Sequence, residues 1–182
     1  MKKLILLLII ICNTIFLFST EIPTPRNGNL YTEFTFERTS PMLSRSIQGR
    51  GLIVMKGARF LYRQISPNRF DVRNVRDKIY LFRNNEEPVE LPPNGGDSIF
   101  FLFTGTPLNT LGFTATIETT GNLIKYRLTP TTPENKMREI YIEGLEDKIY
   151  SIRIKFEDES IVSYRFTNTI TGAEPDERFF RY

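Results

Sequence analysis

From Leu30 onward the chain alternates. Phe34 and Phe36 are separated by Thr35 and followed by Glu37, and a period of two marks a strand with one face turned to a core. Leu52, Val54 and Lys56 share a face opposite Ile53 and Met55, and Phe60 and Tyr62 alternate with Leu61 and Arg63. Phe70 and Val72 resume after a Pro67-Asn68 turn, and Ile79 and Leu81 oppose Tyr80 and Phe82. The second half repeats the theme. Phe113, Ala115 and Ile117 alternate with threonines, Thr120-Gly121-Asn122 turns into the run Leu123 to Thr129, and Ile140 and Ile142 oppose Tyr141. Tyr150, Ile152, Ile154 and Phe156 then share one face, with Arg153 and Lys155 on the other. After Asp158-Glu159 the chain runs back through Val162, Tyr164 and Phe166, and Phe179 to Tyr182 reads as a last strand. About ten or eleven such runs, several apolar on both faces, predict one large, strongly curved antiparallel sheet.

One segment breaks the alternation. Behind the loop Pro92-Pro93-Asn94-Gly95-Gly96, Asp97 and Ser98 offer helix N-caps. Five bulky apolar residues follow from Ile99 to Phe103, then Thr104-Gly105-Thr106-Pro107, then Leu108, Leu111 and Phe113 at helical spacing. The pattern predicts one or two short helices lying over the sheet, with a buried strand-turn-strand as the alternative. The segment is greasier than a connection needs, and Gly105 and Pro107 punctuate it, which is the pattern of a movable lid.

The chain opens with Lys2 and Lys3, an apolar stretch from Leu4 to Phe18 that holds Cys12, Asn13 and Thr14, and Ser19-Thr20. This is the layout of a cleaved export signal over residues 1–20, and the stretch is shorter than the roughly 20 residues of a membrane-spanning helix. Residues 21–29, with proline and glycine, read as an arm, and residues 30–182 as one domain. A lipidated Cys12 is the competing reading, although Ile11 stands where a small residue is expected.

Composition narrows the chemistry. With 40 % hydrophobic and 25 % charged residues the 182-residue chain is not a disordered one, and 15 Phe with 8 Tyr favour strands. There is no histidine, and Cys12 is the only cysteine, so zinc sites and His-dependent triads or dyads are excluded. The glycines at Gly49, Gly51 and Gly57 lack the strand-loop-helix setting of a phosphate loop. The acidic pairs, such as Glu86-Glu87 and Glu146-Asp147, sit in turns. No catalytic, metal or cofactor site is expected, and the chain is not read as an enzyme. The run Arg59-Phe60-Leu61-Tyr62-Arg63 has the basic-aromatic look of a single-strand platform, but an export signal argues against a nucleic-acid partner and the alternation of a barrel strand explains the run more simply. The net charge of +3 permits weak, transient contact with anionic lipid.

Several segments together resemble a known family. Arg50 to Arg63, ending at Ser66-Pro67, is similar to the glycine-bearing strand pair of the LolA outer-membrane lipoprotein carriers. Lys78-Ile79-Tyr80-Leu81-Phe82, Tyr126 to Pro130, Val162 to Asn168 and Arg178-Phe179-Phe180 resemble later strands of the same family, in order. The resemblance implies an unclosed antiparallel β-barrel with short lid helices over an apolar cavity. It implies a periplasmic carrier, working as a monomer, that takes acylated lipoproteins or lipids from an inner-membrane lipoprotein-releasing ABC transporter and passes them to an outer-membrane receptor. The inward strand faces, with Phe60, Tyr62 and Val72, would form the wall, and Phe100, Phe101, Phe103, Leu108 and Leu111 the lid. The family's lid-latching arginine falls on Lys56, its following proline on Gly57 and its tryptophan on Tyr62, and its long N-terminal helix has no counterpart. Lysine keeps the charge but loses the planar fork. Two alternatives stay open: an anchored receptor of the LolB type using Cys12, and a secreted β module, an envelope-stress sensor or adhesive domain, whose interior is filled by its own side chains.

Overall fold

A computed structural model describes residues 28–75, 78–84, 86–91, 99–103, 108–132, 136–145 and 148–180, without the side chains of Phe100 and Phe101. The expectations for the export signal, Cys12, most of the arm, the caps Asp97 and Ser98, and Gly105 and Pro107 concern residues outside this set.

The alternating runs pair as eleven antiparallel strands: β1 (Asn29–Thr39), β2 (Ile47–Lys56), β3 (Arg59–Ser66), β4 (Phe70–Val75), β5 (Lys78–Arg83), β6 (Val89–Leu91), β7 (Phe113–Thr120), β8 (Leu123–Pro130), β9 (Met137–Leu145), β10 (Lys148–Phe156) and β11 (Ile161–Thr171). Their order is β6-β5-β4-β3-β2-β1-β11-β10-β9-β8-β7. The first strand and the last therefore meet in the middle, the edges β6 and β7 are not paired, and the barrel is open.

Period-two alternation gives the sheet two unlike faces. On the inner face Phe34, Ile53, Tyr62, Val72, Phe166 and the isoleucines of β9 and β10 form one continuous apolar core. Ile140, Ile142, Ile152 and Ile154 are at most 1 % exposed. The outer face is ionic. Asp71 accepts from Arg63 Nε at 2.8 Å and lies 2.5 Å from Arg73, and Glu139 pairs with Arg127 and Lys155. Cross-strand pairs of opposite charge suit a solvated antiparallel face.

Glycine has a structural task where β1 crosses β2. Gly51 lies opposite Phe34, and a Cβ built there would stand 2.1 Å from the Arg63 carbonyl oxygen and 2.5 Å from the Phe34 ring. The bare backbone lets the ring lie flat on the strand and stack on Tyr62, with centroids 5.1 Å apart.

Two expectations change. Tyr150 does not share a face with Ile152, because the β9–β10 register slips between Ile149 and Ser151. The bulge turns Ile149 inward, at 6 % exposure, and leaves Tyr150 at 42 %. Nor is Phe179 part of a strand: Glu177–Phe180 is a 3₁₀ helix. Both edges of β11 are already paired, with β1 and β10, so the chain end has no ladder to join. It instead covers the outer face, where Phe179 meets Tyr31 at 5.7 Å and the Arg59 guanidinium sits 4.7 Å from the Phe180 ring. On this face Val54 and Leu61 are fully buried, apart from the inner core.

Candidate functional site

The inner face and what lies on it form the candidate site. Phe60 and Tyr62 come from β3 and Val72 from β4, all of inward parity, and all three belong to the continuous core. Tyr62 stacks between Phe34 and Phe70, at 5.1 and 5.9 Å. Burial pushes the Tyr62 phenol well above its ordinary range, and the Tyr164 hydroxyl is its hydrogen-bond partner.

The non-alternating segment lies on that wall. Ile99–Phe103 is a 3₁₀ helix, a short form that suits a brief run. Ile99, Leu102, Phe103 and Leu108 are all at most 4 % exposed and join the same core, and Leu111 packs against it half-buried. The Phe103 ring meets Phe166 edge-on at 5.6 Å. A tight turn follows, in which Gly112 N donates to Asn109 O and Phe113 N to Leu108 O, leading into β7. The structure thus brings Phe60, Tyr62, Val72, Phe103, Leu108 and Leu111 into one cluster. The side chains of Phe100 and Phe101 lie outside the described residues.

Lys56 is elsewhere. It closes β2 on the outer parity shared with Val54 and pairs with Glu174 and, at 2.5 Å, with Glu177. Arg59 adds a bidentate contact to Glu177, at 2.7 and 2.8 Å. Those hydrogen bonds, Arg59's first and Lys56's second, hold the Glu177 carboxyl down at about 2. The observed partner of Lys56 is thus the C-terminal 3₁₀ helix, on the face opposite Ile99–Phe103.

Between β1, β10, β11 and Phe103 there is a cavity of about 10 Å³, room for a single water. Leu30, Ile149, Phe103 and Phe166 supply its apolar side, and Thr32, Thr169 and Lys148 its polar side. Sequence reasoning did not single out the polar three. Two ladder irregularities place them, and periodicity cannot show an irregularity. Among the described residues no group of three His, Cys, Asp or Glu side chains is arranged to hold a metal.

No protein-family model and no curated protein sequence matches the chain. Solved structures do resemble it. A DUF1329 family protein from Desulfovibrio piger matches over 86 % of this chain and 90 % of its own, with 9 % identity and a TM-score of 0.50. A chain of the MucA/MucB complex from Pseudomonas aeruginosa matches over 86 % of this chain and 56 % of its own, with 15 % identity and a TM-score of 0.51. A LolA superfamily protein from Nitrosomonas europaea covers 88 % of this chain and 92 % of its own, at 7 % identity and a TM-score of 0.49. Identities this low speak for the fold alone. With eleven antiparallel strands, an open seam and a short helix lying on the inner face, the chain has an unclosed, curved antiparallel β-barrel fold like that of the DUF1329 family protein and the MucA/MucB chain.

Proposed function

We propose that this protein is an exported acyl-chain carrier of the bacterial periplasm, a binding protein that shields the lipid tails of lipoproteins between an inner-membrane release complex and an outer-membrane acceptor. Residues 1–20 would direct its export. The observation that carries the reading is the Ile99–Phe103 helix with Leu108, a separate apolar segment that fills the hollow of a sheet whose inner face is already apolar. Such a segment can trade places with a guest.

Magnitudes support an exchange. Burying a large aliphatic or aromatic side chain contributes about 1.5–3 kcal/mol, so withdrawing Ile99, Leu102, Phe103 and Leu108 costs about 6–12 kcal/mol. An acyl chain of about fifteen methylenes regains about 12 kcal/mol at 0.8 per CH₂. The near-balance suits a carrier, which must hold cargo less tightly than the acceptor does. In the form described Ile99, Leu102, Phe103 and Leu108 are buried on the inner face, as the closed state of such a device requires.

Two measurements test this. Protein purified from an envelope extract should carry acylated molecules detectable by mass spectrometry, and the full chain should bind a fluorescent fatty acid. Phe60→Glu should abolish probe binding while the circular dichroism spectrum of the sheet persists. Clean protein that ignores the probe would sink the proposal.

The burial of Ile99, Leu102, Phe103 and Leu108 against the inner face favours one second reading, a β module with a permanently filled interior that recognises another protein on its surface. The match to a chain solved in a MucA/MucB complex agrees with it. In that case the probe does not bind, and Leu102→Ala destabilises the fold without creating any affinity for lipid.

A further inference from the structure

The aromatic rings of the inner face are laid as a pavement. Phe34, Tyr62 and Phe70 stack in turn, with centroids 5.1 and 5.9 Å apart and planes 23° and 26° apart. Tyr164 stands edge-on to Phe34 at 5.6 Å and lies nearly parallel to Phe166 at 6.4 Å. Phe166 in turn meets Phe103 of the inner helix. Strand β2 makes room for the rings. A Cβ at Gly49 would stand 2.2 Å from the Ser66 carbonyl oxygen and 2.4 Å from the Phe36 ring, the same conflict as at Gly51 beneath Phe34. The pavement runs from the buried Phe103 at one end to the half-buried Phe36, Phe70 and Tyr164 at the other.

Two hydroxyls interrupt this apolar surface, those of Tyr62 and Tyr164, and each is the other's hydrogen-bond partner. Packing alone would be served equally by phenylalanine. Burial holds both phenols above their ordinary range, so both keep their protons at neutral pH. Two hydroxyls own two protons, and the bond between them uses one. Among the described residues no hydrogen bond ties either phenol to a third group. One O–H donor is therefore left over on an apolar wall, where an unmet donor costs free energy. Tyr62 is 4 % exposed and Tyr164 half-buried, so the buried phenol donates within the pair and Tyr164 turns its proton outward. A lone donor in greasy surroundings fixes how a ligand lies.

We propose that the Tyr62–Tyr164 pair seats the carbonyl of an ester- or amide-linked acyl chain, with Tyr164 as the donor and Tyr62 as the residue that orients it. The inference rests on the acyl-carrier reading and deepens it by giving the guest a direction. Every acyl chain is joined through a carbonyl, a neutral acceptor that needs a donor and no counter-charge. With the carbonyl at Tyr164, the tail lies across Phe34 and Phe166 and ends in the space that Phe103 fills in the closed form. The linkage then stays at the half-buried end, where the rest of a lipoprotein has room.

The test uses the full chain loaded with parinaric acid as a fluorescent probe. Two competitors displace it, monododecanoylglycerol and its ether counterpart monododecylglycerol, which differ only in the carbonyl. Because a carbonyl also costs desolvation, the readout is the change between proteins. Tyr164→Phe should weaken the ester by about threefold to tenfold, the worth of one neutral hydrogen bond, and leave the ether within about twofold. Circular dichroism checks the fold of the variant. Should the phenylalanine disturb it, infrared spectra of the parent with a carbon-labelled ester serve instead, and the bound carbonyl should absorb at lower frequency than in alkane. A variant that weakens ester and ether equally, or neither, overturns the seat and leaves the carrier reading standing, as does an alkane-like carbonyl frequency. A protein that binds neither the probe nor either competitor overturns both.

Discussion

At the scale of single residues, the clearest constraint is space. Gly51 is the floor under Phe34, and both the Arg63 carbonyl and the ring lie where a side chain would begin. Gly51→Ala should therefore destabilise the fold by about 1–3 kcal/mol, the usual cost of overpacking, with the loss read as a lower denaturant midpoint. An alanine that leaves the midpoint unchanged would show that β1 and β2 can spread. The charged residues obey a different rule. For the buried Asp71, desolvation raises the carboxyl pKa, but the Arg63 and Arg73 hydrogen bonds outweigh it and hold it below its usual range. That carboxylate is visible in the sequence only as one acid among basic neighbours, since its partner Arg63 lies on the adjacent strand.

At the scale of elements, the C-terminal 3₁₀ helix is an ionic strap. Its Glu177 is depressed to about 2 from an ordinary 4.5, so between those values the folded protein binds fewer protons than the unfolded chain. The strap's contribution is whole above about pH 4.5 and fades as pH falls through about 2. Nuclear Overhauser contacts between the Tyr31 and Phe179 rings should weaken over that range. Glu177→Gln should show weakened contacts already at neutral pH, and high salt should act in the same direction, because exposed pairs are screened. Contacts that persist in the Gln variant would mean the aromatic packing alone holds the strap. The edge strands differ in another way. β6 has three residues, flanked by prolines Pro88 and Pro92, and β7 is mostly exposed. Short, proline-bounded edges resist unwanted pairing, but their amides are poorly protected. Hydrogen exchange should be fastest in β6 and β7 and slowest in β1, β2 and β11.

At the scale of the whole molecule, β1 is paired with β11, so residues such as Phe34 and Phe166, neighbours across the ladder, are far apart in the chain. Central pairing of this kind has a high loop-closure cost, and refolding should fall in the slow, millisecond-to-second range of all-β domains. Stopped-flow tyrosine fluorescence measures this, and microsecond folding would contradict it. The topology also explains the open seam. With the first and last strands paired at the centre, the edges are the middle strands β6 and β7, and the apolar Ile99–Leu111 stretch lies in the connection between them. The segment on the inner face is thus tethered at both ends to the sheet margins, a placement that would let it move without unravelling the core.

Local order was readable in advance. Strand identity, turn positions and the shared face of Phe60 and Tyr62 follow from a period of two, and its loss at Ile99–Phe103 is compatible both with the short helix found there and with a strand-turn-strand. These are properties of neighbouring residues, which the chain carries on its face. The bulges at Asn168 and Tyr150, the meeting of Thr32 with Thr169, and the pairing of Lys56 with the C-terminal strap depend on contacts between distant strands. A one-residue slip in a ladder changes which face a side chain takes, and no local pattern records it. The face alternation was therefore written in the chain, while the polar side of the cavity and the partner of Lys56 arose only when β1 paired with β11 and the open sheet curved.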